Sequence, residues 1–170
     1  MLNIVVYTVE LLICFLLQQT VFATGLSIGN IIPDLIVILV VSIAYQKGKI
    51  YGMFFGIAGG LIYDFQFGSG SMLGVYALAY LFIGYLAGFM ADYYIKSDTL
   101  LPLAMIAVGE FLFGFYGYVV NMLISGDLNL FYYIRRTILP RTAYTILAGV
   151  ILYKLLDYVY CSILMPEEEE

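Results

Sequence analysis

The sequence has no histidine and no tryptophan, and it contains only two cysteines and four prolines in 170 residues. Histidine is the side chain that most often serves as a general base or a metal ligand, so its absence argues against both kinds of site. Cys14 and Cys161 lie in apolar runs near opposite ends of the chain. We expect them to pack as small hydrophobic residues, without a disulfide or a metal site.

Charged residues are scarce as well, at 11% of the chain, where a soluble domain carries about a quarter. Seven lysines and arginines are too few to build a nucleic-acid-binding face. Four of the twelve acids are the glutamates at 167–170, so the net charge of -5 says little about the rest of the chain. With 64% hydrophobic residues and a mean hydropathy of +1.00, the composition is that of an integral membrane protein.

The apolar residues fall into six stretches separated by short polar connections. A helix needs about 20 residues to cross the hydrocarbon core, and the third stretch, which ends near Gln66, is short for a crossing. We predict an all-α membrane domain over 1–164 with about six transmembrane helices, followed by a short acidic tail at 165–170. A re-entrant third stretch, leaving five crossings, is the alternative. The stretches are 3–23, 33–45, the glycine-rich run to 66, 72–93, 100–123 and 141–164.

The distribution of basic residues bears on orientation. Six crossings place both termini on one side, and the connections 24–33 and 65–73 contain no lysine or arginine. Cytoplasmic loops carry the excess of basic residues, so this favours a cytoplasmic amino terminus. The aromatic and basic segment 125–141, with Arg135 and Arg136, is expected to lie in the headgroup plane.

Glycines recur every four residues in the third stretch. Residues four apart share one face of a helix, and each glycine costs ~1 kcal/mol of helix propensity relative to alanine. In membranes such small-residue faces allow close helix packing. We therefore predict a packing face, which continues into the next stretch. It comprises Gly52, Gly56, Gly60 and Gly68, with Asp64 in the same series, and then Gly74, Gly84 and Gly88.

A few polar side chains lie inside the apolar stretches. Pro33 and Asp34 are typical of a helix start, with Asp34 as the cap. Asp64 either accepts hydrogen bonds from the turn at 68–71, holds a polar group of an incoming helix, or handles a ligand or a proton. Glu110 is either neutral and hydrogen-bonded or paired with a basic residue that the sequence does not identify. Gln18, Gln19 and Thr20 can hydrogen-bond to a neighbouring helix.

Enzyme signatures are missing. The glycines from Gly68 to Gly74 do not have the dinucleotide-binding spacing, and Ser69 lies outside a G-x-S-x-G elbow and has no histidine to serve as its base. We predict no catalytic residue, no cofactor and no metal. Transporters do build sites from broken, glycine-bearing helices, so a small-molecule-binding subunit and a membrane scaffold both stay open at this point.

The order of motifs from Pro33 to Gly88 carries a resemblance. Pro33-Asp34 opens LIVILVV, a basic turn follows, and G-x-x-x-G-x-x-x-D covers Gly56, Gly60 and Asp64. The run LGVYALAYLFIGYLAG then covers 73–88. This resembles the family of rod shape-determining MreD proteins. From Leu100 onward the resemblance is limited to hydropathy.

The resemblance implies a non-enzymatic scaffold of the bacterial cell-elongation complex in the cytoplasmic (inner) membrane, acting in cell shape and peptidoglycan synthesis. The implied partners are MreC, which has one transmembrane helix, the filament protein MreB, and the polymerase RodA with its transpeptidase; a homo-oligomer is left open. The family is also similar in fold to the six-helix substrate-binding subunits of energy-coupling-factor transporters, so a vitamin-binding subunit is the alternative function. Helix packing or partner binding is assigned to Pro33, Asp34, Gly52, Gly56, Gly60, Asp64, Gly68, Gly74, Gly84 and Gly88, and Glu110 is an intramembrane acid of unassigned role.

Overall fold

The computed structural model describes residues 2–27, 31–67, 74–93, 100–125 and 129–164. The predicted tail at 165–170 and Gly68 lie outside these ranges. The helices are α1 (Leu2–Leu17), which continues as a π-helical turn over Gln18–Phe22, α2 (Leu35–Lys47), α3 (Lys49–Phe67), α4 (Val75–Tyr93), α5 (Leu100–Ser125), α6 (Leu130–Tyr133), a π-helical segment over Ile134–Ile138, α7 (Leu139–Val159), and a last π-helical turn over Tyr160–Leu164.

The predicted all-α membrane fold is confirmed, with six helices of 13 residues or more within the described ranges. Within the described residues, four helical stretches are long and apolar enough to cross a membrane by themselves. Helix α2 has 13 residues and is about 20 Å long, so it is shorter than the ~30 Å hydrocarbon core. The four long stretches are Asn3–Phe22, Val75–Tyr93, Leu100–Leu123 and Leu130–Ser162.

Helix α2 forms the centre of the bundle. Every residue from Leu35 to Tyr45 is buried, and α2 contacts α1, α3, α4, α5 and α7. A helix that is apolar on all sides is suited either to lipid or to the interior of a bundle. The burial of every residue from Leu35 to Tyr45 shows that the run LIVILVV is enclosed by other helices.

Helix α1 packs on the bundle with one face only. Tyr7, Leu11, Cys14 and Gln18 are buried at intervals of three or four residues, the spacing of one helix face. Leucines and valines on the opposite face, such as Val5 and Leu16, are exposed. Because the chain lies in a membrane, this exposed apolar face is the one that lipid tails cover.

Helices α2 and α3 are joined through a single residue, Gly48, within the predicted basic turn. Gly48 has φ of 91°, in the left-handed region that only glycine adopts without strain. It ends α2 by donating its N–H to the carbonyl of Ala44 at 2.9 Å. The sharp reversal explains why α3 returns directly along the central helix.

The segment 125–141 differs from the prediction in its second half. Phe131 and Tyr132 are exposed, as expected of a headgroup segment, but Ile138 at the end of the π-helical segment is buried, and the chain continues without a break into α7. Pro140 has no N–H to donate, and the wider π-helical turn ends two residues before it. The result is one helical stretch over Leu130–Ser162, which carries Arg141 toward the bundle interior.

Candidate functional site

Asp34 caps the central helix, as the sequence predicts. Its Oδ1 accepts hydrogen bonds from the N–H groups of Ile36 and Val37, both at 3.1 Å. These are two of the donors that every helix leaves unsatisfied at its start. Pro33 precedes the cap instead of standing in the first turn. The cap itself is fully buried.

The second oxygen of Asp34 is used by residues from two other helices. Arg141 Nη2 on α7 lies 2.9 Å from Asp34 Oδ2, and the hydroxyl of Tyr80 on α4 donates to the same oxygen at 2.6 Å. Arg141 Nε lies 2.8 Å from Oε1 of the buried Glu110, near the middle of α5. Asp34, Glu110 and Arg141 thus form one ionic cluster, here named the charged clasp.

The backbone at the start of α2 is satisfied by polar side chains of distant helices. Thr145 Oγ1 on α7 accepts from the N–H of Asp34 at 3.1 Å, and Gln18 Oε1 accepts from the N–H of Leu35 at 3.0 Å. Both acceptors are buried. A buried N–H without a partner costs about as much as a lost hydrogen bond. The clasp is therefore part of a wider polar network that joins α1, α2, α4, α5 and α7.

Burial of charge at this depth is tolerated because opposite charges meet. Removing a carboxylate or a guanidinium from water costs several kcal/mol per ion unless a partner lies in contact. The clasp places one guanidinium between two carboxylates, and the guanidinium carbon also lies 5.1 Å from the ring centre of Phe113. Glu110 Oε2 accepts no hydrogen bond from the described residues. The arrangement holds three helices in register.

The sequence anticipated only part of this network. It offered pairing with a basic residue as one alternative for Glu110, and the structure identifies Arg141 as that residue. The signal for Gln18 was its polarity within an apolar stretch. Tyr80 stands in the run 73–88 that carried the family resemblance, but nothing in the sequence linked it to Asp34, and Thr145 carried no signal because threonine is common in membrane helices.

Five of the seven predicted glycines form a contact inside the chain, between α3 and α4. Gly74 was predicted to belong to the same face, but it stands before α4, where an added Cβ would meet no atom within 4 Å. A Cβ added at Gly56 would lie 2.5 Å from the carbonyl oxygen of Tyr80, and one at Gly60 would lie 2.4 Å from the Cα of Ala77. Real Cβ contacts are not this short, so the two backbones touch where no side chain fits. This contact is named the glycine seam and consists of Gly52, Gly56 and Gly60 on α3 with Gly84 and Gly88 on α4.

Asp64 caps the helix that the seam holds. Its Oδ2 accepts from the N–H groups of Gly74 and Ala77, both at 3.0 Å, and its Oδ1 accepts from that of Tyr76 at 3.1 Å. These donors belong to the first turn of α4 and the residue before it. The turn at 68–71, offered as the source of donors, lies outside the described residues. Asp64 is buried, so its carboxylate is occupied within the chain.

The clasp and the seam use the predicted residues for contacts within the chain, and their role in binding a partner stays a prediction. Within the described ranges, no group of three or more histidine, cysteine, aspartate or glutamate side chains is placed to hold a metal ion.

A comparison with protein families finds a match over nearly the whole chain. The model described as rod shape-determining protein MreD matches residues 1–163, which include every residue of the clasp and the seam. No curated protein and no solved structure matches the chain. The similarity in fold to the energy-coupling-factor subunits, which the sequence resemblance implied, thus stays a prediction.

Proposed function

The chain belongs to the MreD family of rod shape-determining membrane proteins, and we propose that it serves as a non-enzymatic scaffold of the cell-elongation complex in the bacterial cytoplasmic membrane. The observation that carries the proposal is the family match over residues 1–163. In this proposal the chain binds MreC and through it organises RodA, its transpeptidase and MreB.

The internal contacts are consistent with a scaffold. The carboxylates of Asp34 and Asp64 are satisfied by groups of the same chain, and the glycine seam consists of backbone contacts between neighbouring helices. Such contacts hold the helices in one arrangement, so that the outward faces keep a constant shape. A rigid surface loses little conformational entropy when a partner binds.

We propose that the partner helix lies along the outward faces of α4 and α5. Two adjoining apolar cavities of about 220 and 330 Å³ lie between these helices and share Ile83, Leu86 and Leu112. Without a hydrophobic driving force in lipid, a transmembrane helix associates through close packing, which such a groove offers. The seam contributes by fixing α4 against α3, and therefore the shape of the groove. The transmembrane helix of MreC is the proposed occupant.

A pair of matched substitutions tests this function. Val108 lines the groove and Val5 faces lipid from α1, and both are 59% exposed. We expect Val108→Phe to fill the groove and to reduce the amount of MreC that co-purifies with the tagged subunit in detergent several-fold. Val5→Phe adds the same volume away from the groove and should leave the MreC yield unchanged.

The outcomes distinguish a failure of the scaffold proposal from a failure of the proposed docking site. If wild-type protein retains no MreC from its native membrane, the scaffold proposal fails. If both variants retain MreC as the wild type does, MreC binds the chain elsewhere and the α4–α5 groove is excluded. Equal membrane levels of the two variants show that insertion is intact.

A further inference from the structure

A cavity of about 180 Å³ lies at the end of the bundle where α1 and α3 end and α2 and α7 begin. We name it the end cavity. Two isoleucines, Ile31 and Ile32, supply its apolar wall. Its polar lining comes from Gln18, Gln19, Tyr63, Thr137 and Arg141.

The polar wall of the end cavity is rich in hydrogen-bond donors. Gln18 uses its oxygen for the N–H of Leu35, so its amide nitrogen is the group left to donate. Arg141 engages the clasp through Nε and Nη2 and also hydrogen-bonds the neighbouring Tyr63, yet its side chain is 21% exposed and guanidinium has five N–H groups. Thr137 adds a hydroxyl. Among the described residues of the lining there is no aspartate or glutamate, so a ligand that brings acceptor atoms suits this wall.

The clasp orients Arg141 for such a ligand. Asp34 and Glu110 are buried and contact the guanidinium from inside the bundle, leaving the exposed part of the side chain on the cavity wall. The planar fork of a guanidinium matches the oxygens of a phosphate, and a fixed fork loses less entropy on binding. Because two carboxylates more than balance this one cation, the ligand is held by directed hydrogen bonds and not by net charge.

The position of the end cavity in the bundle indicates which acceptor group its ligand carries. Gln18 and Gln19 stand close to the end of the apolar stretch Asn3–Phe22, so the cavity lies toward one end of the bundle, and a bilayer presents its phosphate groups beyond the ends of its spanning helices. The exposed Arg135 and Arg136 stand directly before Thr137 in the chain, and no carboxylate of the described residues forms an ion pair with either. We propose that the end cavity binds a phosphate group, carried by a phospholipid headgroup or free in solution, through Gln18, Gln19, Thr137 and Arg141.

The test measures lipid binding to the purified full chain by native mass spectrometry. Dioleoyl phosphatidylethanolamine and dioleoyl phosphatidylglycerol are added separately, and dioleoylglycerol, which has the same tails and no phosphate, is the reference lipid. We expect one tightly bound phospholipid per chain and no equivalent binding of dioleoylglycerol. Inorganic phosphate is added as a competitor: displacement identifies free phosphate as a ligand, and lipid binding that resists it identifies the headgroup.

Two substitutions remove cavity donors without touching the clasp. Thr137→Val keeps the side-chain shape, and Gln19→Leu removes an amide; each is expected to weaken phospholipid binding about fivefold, the value of one hydrogen bond. Thr8→Val on the exposed face of α1 is the matched control and should bind as the wild type does. Dioleoylglycerol binding as tightly as the phospholipids, or unchanged binding in Thr137→Val, would overturn the proposal. Should Gln19→Leu fail to fold, the nearly isosteric Thr137→Val decides alone.

Discussion

The glycine seam and the charged clasp hold the same bundle by opposite means. The seam joins two consecutive helices mainly through backbone contact. The clasp joins helices far apart in the chain, since Asp34 and Arg141 are separated by 107 positions, and it depends entirely on charge. Replacing a seam glycine adds atoms where no space exists, whereas replacing Arg141 leaves two buried carboxylates without a cation.

This difference between the seam and the clasp follows from the lipid that surrounds the bundle. Lipid tails are as apolar as leucine, so burying a leucine against another helix gains little. Helices in a bilayer are then held by close approach of small residues or by polar contacts that lipid cannot replace. The protein uses the first means between the neighbours α3 and α4 and the second around the centre of the bundle.

The largest effect is expected from Arg141→Leu. The change leaves Asp34 and Glu110 buried beside each other without a cation, and removal of one partner of a buried pair costs about 3–5 kcal/mol. Unfolding can be followed by the reaction of the buried Cys14 with a thiol-reactive dye on heating in detergent. The exposed Cys161 is replaced by serine in all variants.

The arginine prediction has two controls. Arg136→Leu removes an exposed arginine and should change the free energy of unfolding by less than about 1 kcal/mol. Adding Glu110→Leu to Arg141→Leu removes one stranded carboxylate and should recover part of the loss. An Arg141→Leu protein that unfolds at the same temperature as Arg136→Leu would show that the clasp does not hold the bundle.

A smaller loss is expected from Gly60→Ala in the seam. One methyl group pushes on the Cα of Ala77, and overpacking of this kind costs ~1–3 kcal/mol. Gly117→Ala on α5 is the matched control, because a Cβ there meets no atom within 4 Å. That control should gain up to ~1 kcal/mol from helix propensity. Equal thermal midpoints for the two variants would contradict close contact at the seam.

The smallest effect is expected from Asp64→Ala. It removes the cap of α4 but no charge pair, and the loss of a cap costs ~0.5–2 kcal/mol. The N–H groups of Gly74, Tyr76 and Ala77 should exchange with deuterium faster than in the wild type. Asp92→Ala serves for comparison, since its 3.8 Å contact with Lys49 is exposed and contributes less than ~1 kcal/mol. Unchanged exchange at these three amides would exclude the cap.

The residues anticipated from the sequence are those whose pattern is local. Asp34 was recognisable as a cap because it precedes an apolar run, and Gly56 and Gly60 as a packing face because their spacing follows the helix. Arg141 was assigned to the membrane surface, since it follows two other basic residues and Pro140. The sequence contains nothing to show that a π-helical turn before the proline carries this one arginine inward.

Composition and spacing were sufficient to establish a helical membrane protein, its central apolar stretch and a glycine-lined helix face, because hydropathy and helical period are properties of adjacent residues. Which surface the glycines contact, and which base the buried acids meet, followed only from the folded chain. Those pairings depend on how helices separated by a hundred residues pack around α2, and the free energy of such contacts exists only once the bundle has formed.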